Sequence, residues 1–254
     1  MLYRPLYWTS FWCEDWLFTS NFRSGAKYIF ISSASSKTAF CLAYCIQIRI
    51  RNKEIPADTR IIGLTSKRNM EFTRRLGLYH IVVSYDDINK GTFTPGVRAV
   101  YVDVAGNDEF NKRLLAAQGP IFVAAIKLGM SNVTPKRLNV TNAWIKNTRL
   151  EEIAGGSSST KVPEFETFFM VEWLAVRVKQ LSVKEIVGMQ IKAWKRLLVD
   201  AKAWIEITRV YGGEKVKAAY DSALEGGLRA EDGYVWSLWD SQTNAINTGG
   251  QCKL

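Results

Sequence analysis

Between residues 27 and 127 the chain alternates short, almost wholly apolar runs with longer stretches of helical period. That order leaves few folds open. The apolar runs at 27–33, 60–65, 80–84, 99–104 and 120–127 read as five strands, and helical patterns fill 36–48, 68–76 and 108–117. Strands that lack polar alternation are buried on both faces. Strand–helix–strand repetition sets them parallel, with helices above and below. The expected class is α/β, a doubly wound parallel sheet whose ligand site lies at the carboxyl ends of the strands.

The pattern changes after "AGGSSST" at 154–160, a flexible loop by composition. Pro163 and the apolar "FETFFMVEWLAV" follow. Ile186, Met189, Ala193, Leu197, Ala201, Trp204 and Ile205 then recur at three and four residues, so the spacing predicts a long helix with one apolar face. "GYVWSLWD" reads as a last strand after a turn at Asp232 and Gly233. The domains expected are 1–24, an amino-terminal segment, 25–153, a Rossmann-like dinucleotide-binding domain, and 154–254, a helical region with a returning strand.

Composition narrows the function. Of 254 residues, 47% are hydrophobic and 23% charged, enough to bury a core. Net charge is +10, from 34 Lys and Arg against 24 Asp and Glu, but the cations are scattered. No basic stripe with interleaved aromatics appears, so no nucleic-acid partner is expected. Cys13, Cys41, Cys45 and Cys252 match no metal spacing, and Cys41 and Cys45, one helical turn apart, read as buried thiols. His80 is the only histidine, so it can build neither a triad nor a metal site and reads as structural. No apolar run reaches 18 residues, and "MLYRPLYWTSFW" lacks a signal-peptide pattern. A cytoplasmic, reduced protein without membrane contact is expected. The sequons at Asn132 and Asn139 mean little without a secretory signal.

The turn "SSASSK" after the first strand is the first candidate site. A P-loop needs glycines where Ile31 and Ser36 stand, and a serine–lysine acylase motif needs serine where Ala34 stands. Tyr211 and Lys215 have a dehydrogenase spacing, but Gly212 and Gly213 between them oppose the helix that pattern needs. Ser33, Ser36 and Ala39 fit better, as small residues at the three-residue spacing of a dinucleotide turn. Ser36 and Lys37 then begin a helix, where outward N–H groups favour an anion. The same small polar residues also serve as ordinary helix caps.

NAD-selective sites place an acidic residue at the end of the second strand. Here Thr65, Ser66, Lys67, Arg68 and Asn69 follow, and hydroxyls with two cations suit a 2′-phosphate. If a dinucleotide binds, NADP(H) is expected. Otherwise Thr65 or Ser66 caps a solvated helix.

In order, "SSASSKTA", "IIGLTSKRNMEFTRRLGLYHIVVSYDD" and "YVDVAGN" resemble the cofactor domain of the medium-chain dehydrogenase/reductase superfamily, quinone-oxidoreductase type. With "YRPLYWTSFW" and "GYVWSLWD", they are more similar still to a domain-of-unknown-function family related to that superfamily. The resemblance implies that Ser33, Ser36 and Lys37 line the pyrophosphate. Thr65, Ser66 and Lys67 then hold the 2′-phosphate, Tyr85 stands near the adenine end, and Asp103, Ala105 and Gly106 lie beside the cofactor. It places the backbone near Ala125 and Lys127 against the nicotinamide. It also implies a homodimer, and a shortened chain. The superfamily carries a GroES-like catalytic domain before the cofactor domain, and residues 1–26 are too few for one.

Two readings stand at this stage. One is an NADP(H)-dependent, zinc-independent oxidoreductase acting on a carbonyl, quinone or enone, with Tyr7 or Tyr85 as proton donor. The other is a non-catalytic cofactor-binding or scaffold protein.

Overall fold

The computed structural model describes residues 3–19, 25–88, 96–128 and 165–241. The loop expected at 154–160, both sequons and Cys252 lie outside them. In chain order the elements of the first unit are α1 (Arg4–Thr19), β1 (Tyr28–Ile31), α2 (Lys37–Arg51), β2 (Arg60–Thr65), α3 (Met70–Arg75), β3 (Ile81–Ser84), β4 (Ala99–Asp103), α4 (Asp108–Gln118), β5 (Phe122–Lys127), β6 (Phe165–Thr167) and α5 (Met170–Arg177). Six strands form one parallel sheet in the order β3-β2-β1-β4-β5-β6. The chain runs outward from β1 to β3, returns beside β1 as β4, and runs outward the other way. This is the doubly wound parallel sheet that the apolar runs predict.

Alternation along each strand divides the buried residues between two faces. Phe30, Ile62, Leu64, Tyr101 and Phe122 share one face with Phe110, Leu114 and Leu115 of α4 and with Phe165. Phe30 and Phe122 meet edge to face at 5.2 Å. Ile29, Ile31, Ile61, Val100 and Val102 alternate with them and are fully buried too. Each such side chain contributes about 1.5–3 kcal/mol, which is why these strands carry no polar alternation.

Residues 4–19, read from sequence only as part of a segment ahead of the sheet, form a helix that packs on α2. Apolar side chains stand on several sides of α1, because it is covered by more than one neighbour, so no single stripe shows in its sequence. Tyr7, Trp12, Cys13 and Leu17 are buried. Ser10 Oγ donates to the carbonyl of Thr38 at 2.7 Å. Buried Glu14 pairs with both Nε and Nη2 of Arg49 on α2. Burial pushes the Glu14 carboxyl up to about 7, against the pull of the guanidinium. The adjacent Asp15 accepts from Trp173 Nε1 at 2.8 Å and pairs with Arg177 Nε at 3.0 Å, fastening α1 to α5.

Two local contacts fix the β2–β3 edge. A Cβ on Gly63 in β2 would stand 2.9 Å from the Tyr79 ring and 3.0 Å from Ala34 Cβ. The missing side chain lets Tyr79 lie over the strand and donate its hydroxyl to the carbonyl of Ala34 at 2.9 Å. His80 closes the strand start: its N–H donates to the carbonyl of Ile61, and its Nδ1 accepts the Ile61 N–H at 3.0 Å.

Residues 184–241 form a second unit. Helix α6 (Val183–Asp200) ends before Trp204 and Ile205, which the expected stripe included. Strand β7 (Glu206–Tyr211) follows, then α7 (Gly213–Gly226) and β8 (Asp232–Ser237). The β-branched run Ile207, Thr208, Val210 favours strand over helix and ends the periodic segment. Ile186, Leu197, Ala201, Trp204 and Ile205 are buried, as the stripe predicts. β8 pairs in parallel with β7 in a separate two-stranded sheet. Tyr211 ends β7 and Gly212 (φ +90) caps α7, so Tyr211 and Lys215 share no helix. Among the described residues no helix is long and apolar enough to cross a membrane.

Gly63→Ala is expected to destabilise the first unit by about 1–3 kcal/mol through overpacking against Tyr79, read as a lower urea midpoint. His80 gives a unique imidazole signal. Burial and then the Arg60 charge lower its pKa from 6.5. A lowered pKa adds stability above the ordinary value and loses it as pH falls, because protonated Nδ1 no longer accepts. NMR titration should give a midpoint below 6.5; one above it would contradict the contact.

Candidate functional site at the sheet's switch point

The strand order reverses between β1 and β4, and it is outside the carboxyl ends of the strands at such a switch point that open α/β sheets carry their ligand crevice. Buried hydrogen bonds join the ends of β1 and β4. Ser32 Oγ donates to Asp103 Oδ1 at 2.9 Å and accepts the N–H groups of Val104 (2.8 Å) and Ala105 (3.0 Å). Asp103 Oδ1 also accepts from the Ala105 and Gly106 N–H groups at 3.1 and 3.0 Å. Its Oδ2 accepts from Asn111 Nδ2 at 2.8 Å, and Asn111 Oδ1 accepts from the Tyr101 hydroxyl at 2.6 Å. The Asp103 carboxylate is buried and its acceptors are filled from this chain. Its role is to shape the turn containing Ala105 and Gly106, the latter at φ +62.

The β1 turn lies across from it. Ser33 is left-handed, at φ +52, a conformation that costs a non-glycine residue about 1–2 kcal/mol. Its N–H donates to the Tyr85 hydroxyl at 2.7 Å. Ser36 is the N-cap of α2, its Oγ accepting the Ala39 N–H at 3.3 Å, and Lys37 is the first helical residue. Ala39 is fully buried, as a small residue at that spacing requires. Ser35 joins the turn to the end of β2, its Oγ accepting from Thr65 Oγ1 (3.3 Å) and Asn69 Nδ2 (3.0 Å).

The structure thus brings Ser33, Ser36, Lys37, Asp103, Ala105 and Gly106 to the two turns of the switch point. It gives several of them duties other than those the resemblance implies. Thr65 is buried and turned to Ser35. Ser66 and the exposed Lys67 and Arg68 form the outer edge beyond β2, and Lys67 Nζ stands 3.8 Å from Asp86. Tyr85 reaches the β1 turn, and burial raises its phenol to about 12. Tyr7 lies apart, buried in the α1–α2 layer beside Cys45, and burial drives its pKa far up. Sequence reasoning gives no role to Ser32, Ser35, Asn111 or Asn69, although Asn69 stands in the quoted end of the second strand. Ser32 and Ser35 sit inside the quoted turn, but nothing local marks a serine whose partner is 71 residues away.

The profile of a family described as "Protein of unknown function (DUF2855)" matches residues 1–229. The chain belongs to the DUF2855 family. No curated protein matches this DUF2855 member. Among solved structures, it is similar to the CurK enoyl reductase at 16% identity and a TM-score of 0.49, covering 90% of this chain and 60% of that one. The yhdH oxidoreductase from Salmonella enterica in complex with NADP aligns at 12% identity and 0.48, covering 89% and 59%. CurA from Vibrio vulnificus in complex with NADPH aligns at 11% and 0.47, covering 90% and 61%. The DUF2855 chain therefore spans less than two thirds of the length of these proteins. Among the described residues no group of three His, Cys, Asp or Glu side chains could hold a metal.

Asp103→Ala takes the acceptor from the Ser32 hydroxyl, the Gly106 N–H and Asn111 Nδ2, while the Ala105 N–H keeps Ser32 Oγ. It is expected to cost about 3 kcal/mol. Asp103→Asn keeps one acceptor oxygen and should lose less, with both measured by chemical denaturation.

Proposed function

We propose that the chain binds NADP(H) in the switch-point crevice. The observation that carries this reading is the placement of an α2 N-terminus, capped by Ser36 and starting at Lys37, across the crevice from the Asp103–Gly106 turn. Helix N-termini attract phosphate through outward N–H groups and the helix dipole. The residues fit a phosphorylated dinucleotide. Ser33 and Ala39 are small where the backbone must be approached, and the β2 end offers Ser66, Lys67 and Arg68 instead of the carboxylate an NAD-selective site uses. Ser36 and Lys37 would receive the pyrophosphate, and Lys67 and Arg68 the 2′-phosphate. Thr65 is assigned no contact, since its hydroxyl holds Ser35. Bound NADPH supplies hydride, and an oxidoreductase acting on a carbonyl, quinone or enone is the reaction class we propose.

One observation favours the second reading, binding without turnover. A proton donor works best with a pKa near the operating pH. The Tyr7 phenol is buried away from the crevice, and the Tyr85 phenol is raised to about 12 and accepts the Ser33 N–H.

Titration with NADPH and NADH, followed by nicotinamide fluorescence and calorimetry, tests both. NADPH should bind in the micromolar range, roughly tenfold or more tighter than NADH. Lys67→Glu should weaken NADPH by roughly tenfold and leave NADH nearly unchanged. Absence of binding at millimolar nucleotide would sink the proposal. Binding with no turnover across carbonyl, quinone and enone panels would select the second reading.

A further inference from the structure

Tyr85 is braced on several sides. Its ring lies 4.4 Å from that of Phe110, and its carbonyl accepts from Arg113 Nη2. Arg113 in turn lies over the Phe110 ring at 5.9 Å. Ser84 Oγ accepts the Asp86 N–H and fixes the bend on which Tyr85 rides. These contacts converge on one result, a hydroxyl held 2.7 Å from the amide nitrogen of Ser33.

Ser33 is one of two non-glycine residues with positive φ among the described residues. The other, Lys53, follows the C-cap of α2, where a left-handed residue is an ordinary helix ending. Ser33 sits between a strand and a helix start, where only an added constraint or a glycine makes that conformation the preferred one.

We propose that Tyr85 is the positioning residue of this glycine-free turn. By accepting the Ser33 N–H, its hydroxyl holds Ser33 left-handed and so aims the start of α2 at the phosphate group. The choice of phosphate ligand rests on the NADP(H) reading above; the conformational role does not. Tyr85 acts through Ser33 and does no chemistry on the substrate. The turn holds a left-handed residue without glycine because a residue 52 positions along the chain supplies the constraint.

Tyr85→Phe removes the hydroxyl and keeps the ring on Phe110, so the fold is retained, which an unchanged far-ultraviolet spectrum checks. Ser33→Gly removes the need for the hydroxyl. The wild type, both single variants and the double variant would be compared by hydrogen exchange over residues 32–36 without ligand, and by NADPH affinity. Tyr85→Phe should speed exchange there about tenfold and weaken NADPH about tenfold. In the Ser33→Gly background the same change should alter affinity by less than about twofold. Unchanged exchange in Tyr85→Phe would overturn the inference. So would an equal loss of affinity in both backgrounds, which would make Tyr85 a direct ligand contact. If even the wild type binds no NADPH, the reading of function fails and the exchange data alone decide the role of Tyr85.

Discussion

The hydrogen bond between Ser32 Oγ and Asp103 Oδ1 joins the carboxyl ends of the two central strands where the sheet changes direction. A carboxylate removed from water must be supplied with donors, and here they come from Ser32, the Ala105 and Gly106 amides and Asn111. The arrangement works in both directions. The donors make burial of Asp103 tolerable, and Asp103 determines where those amides lie. Ser32, on the β1 side, accepts the Val104 amide and shares the Ala105 amide with Asp103, which ties the two turns together. Each turn is therefore placed by the other.

A second layer of constraints reaches in from the sheet edge. Tyr79 holds the carbonyl of Ala34, Tyr85 holds the amide of Ser33, and Thr65 and Asn69 hold Ser35. Three successive residues of the β1 turn are each fastened by side chains from β2 or beyond. The close approach of Tyr79 depends on Gly63, so a glycine stands behind this turn without being part of it. In a dinucleotide fold whose turn is rich in glycine, conformation is left to backbone freedom. Here it is imposed by side chains from neighbouring strands.

The central sheet was legible in the sequence because burial on both faces removes polar residues from a strand, and that signal is local. The runs at 60–65 and 99–104 became β2 and β4 with little change. α1 was not legible, since a helix enclosed by several neighbours loses its stripe. β6 is only three residues long, and β7 was hidden behind a helical stripe that ran through Trp204 and Ile205. At the site, the identities in the turn were readable and their duties were not. From sequence, Thr65 reads as a 2′-phosphate contact from its hydroxyl beside two cations, and Tyr85 as an adenine neighbour from the family resemblance. Their partners Ser35 and Ser33 lie 30 and 52 residues away, and no spacing rule spans such distances.

The three cysteines of the α1–α2 layer complete the picture of that layer. Cys13, Cys41 and Cys45 are buried as free thiols, and burial holds each in its unreactive protonated form. The first helix thus acts as a cover over the thiols of the second. Their access to oxidants is governed by how often these helices part, which is a property of local unfolding. Redox sensitivity in this region is, in effect, a clock for the opening of one helix pair.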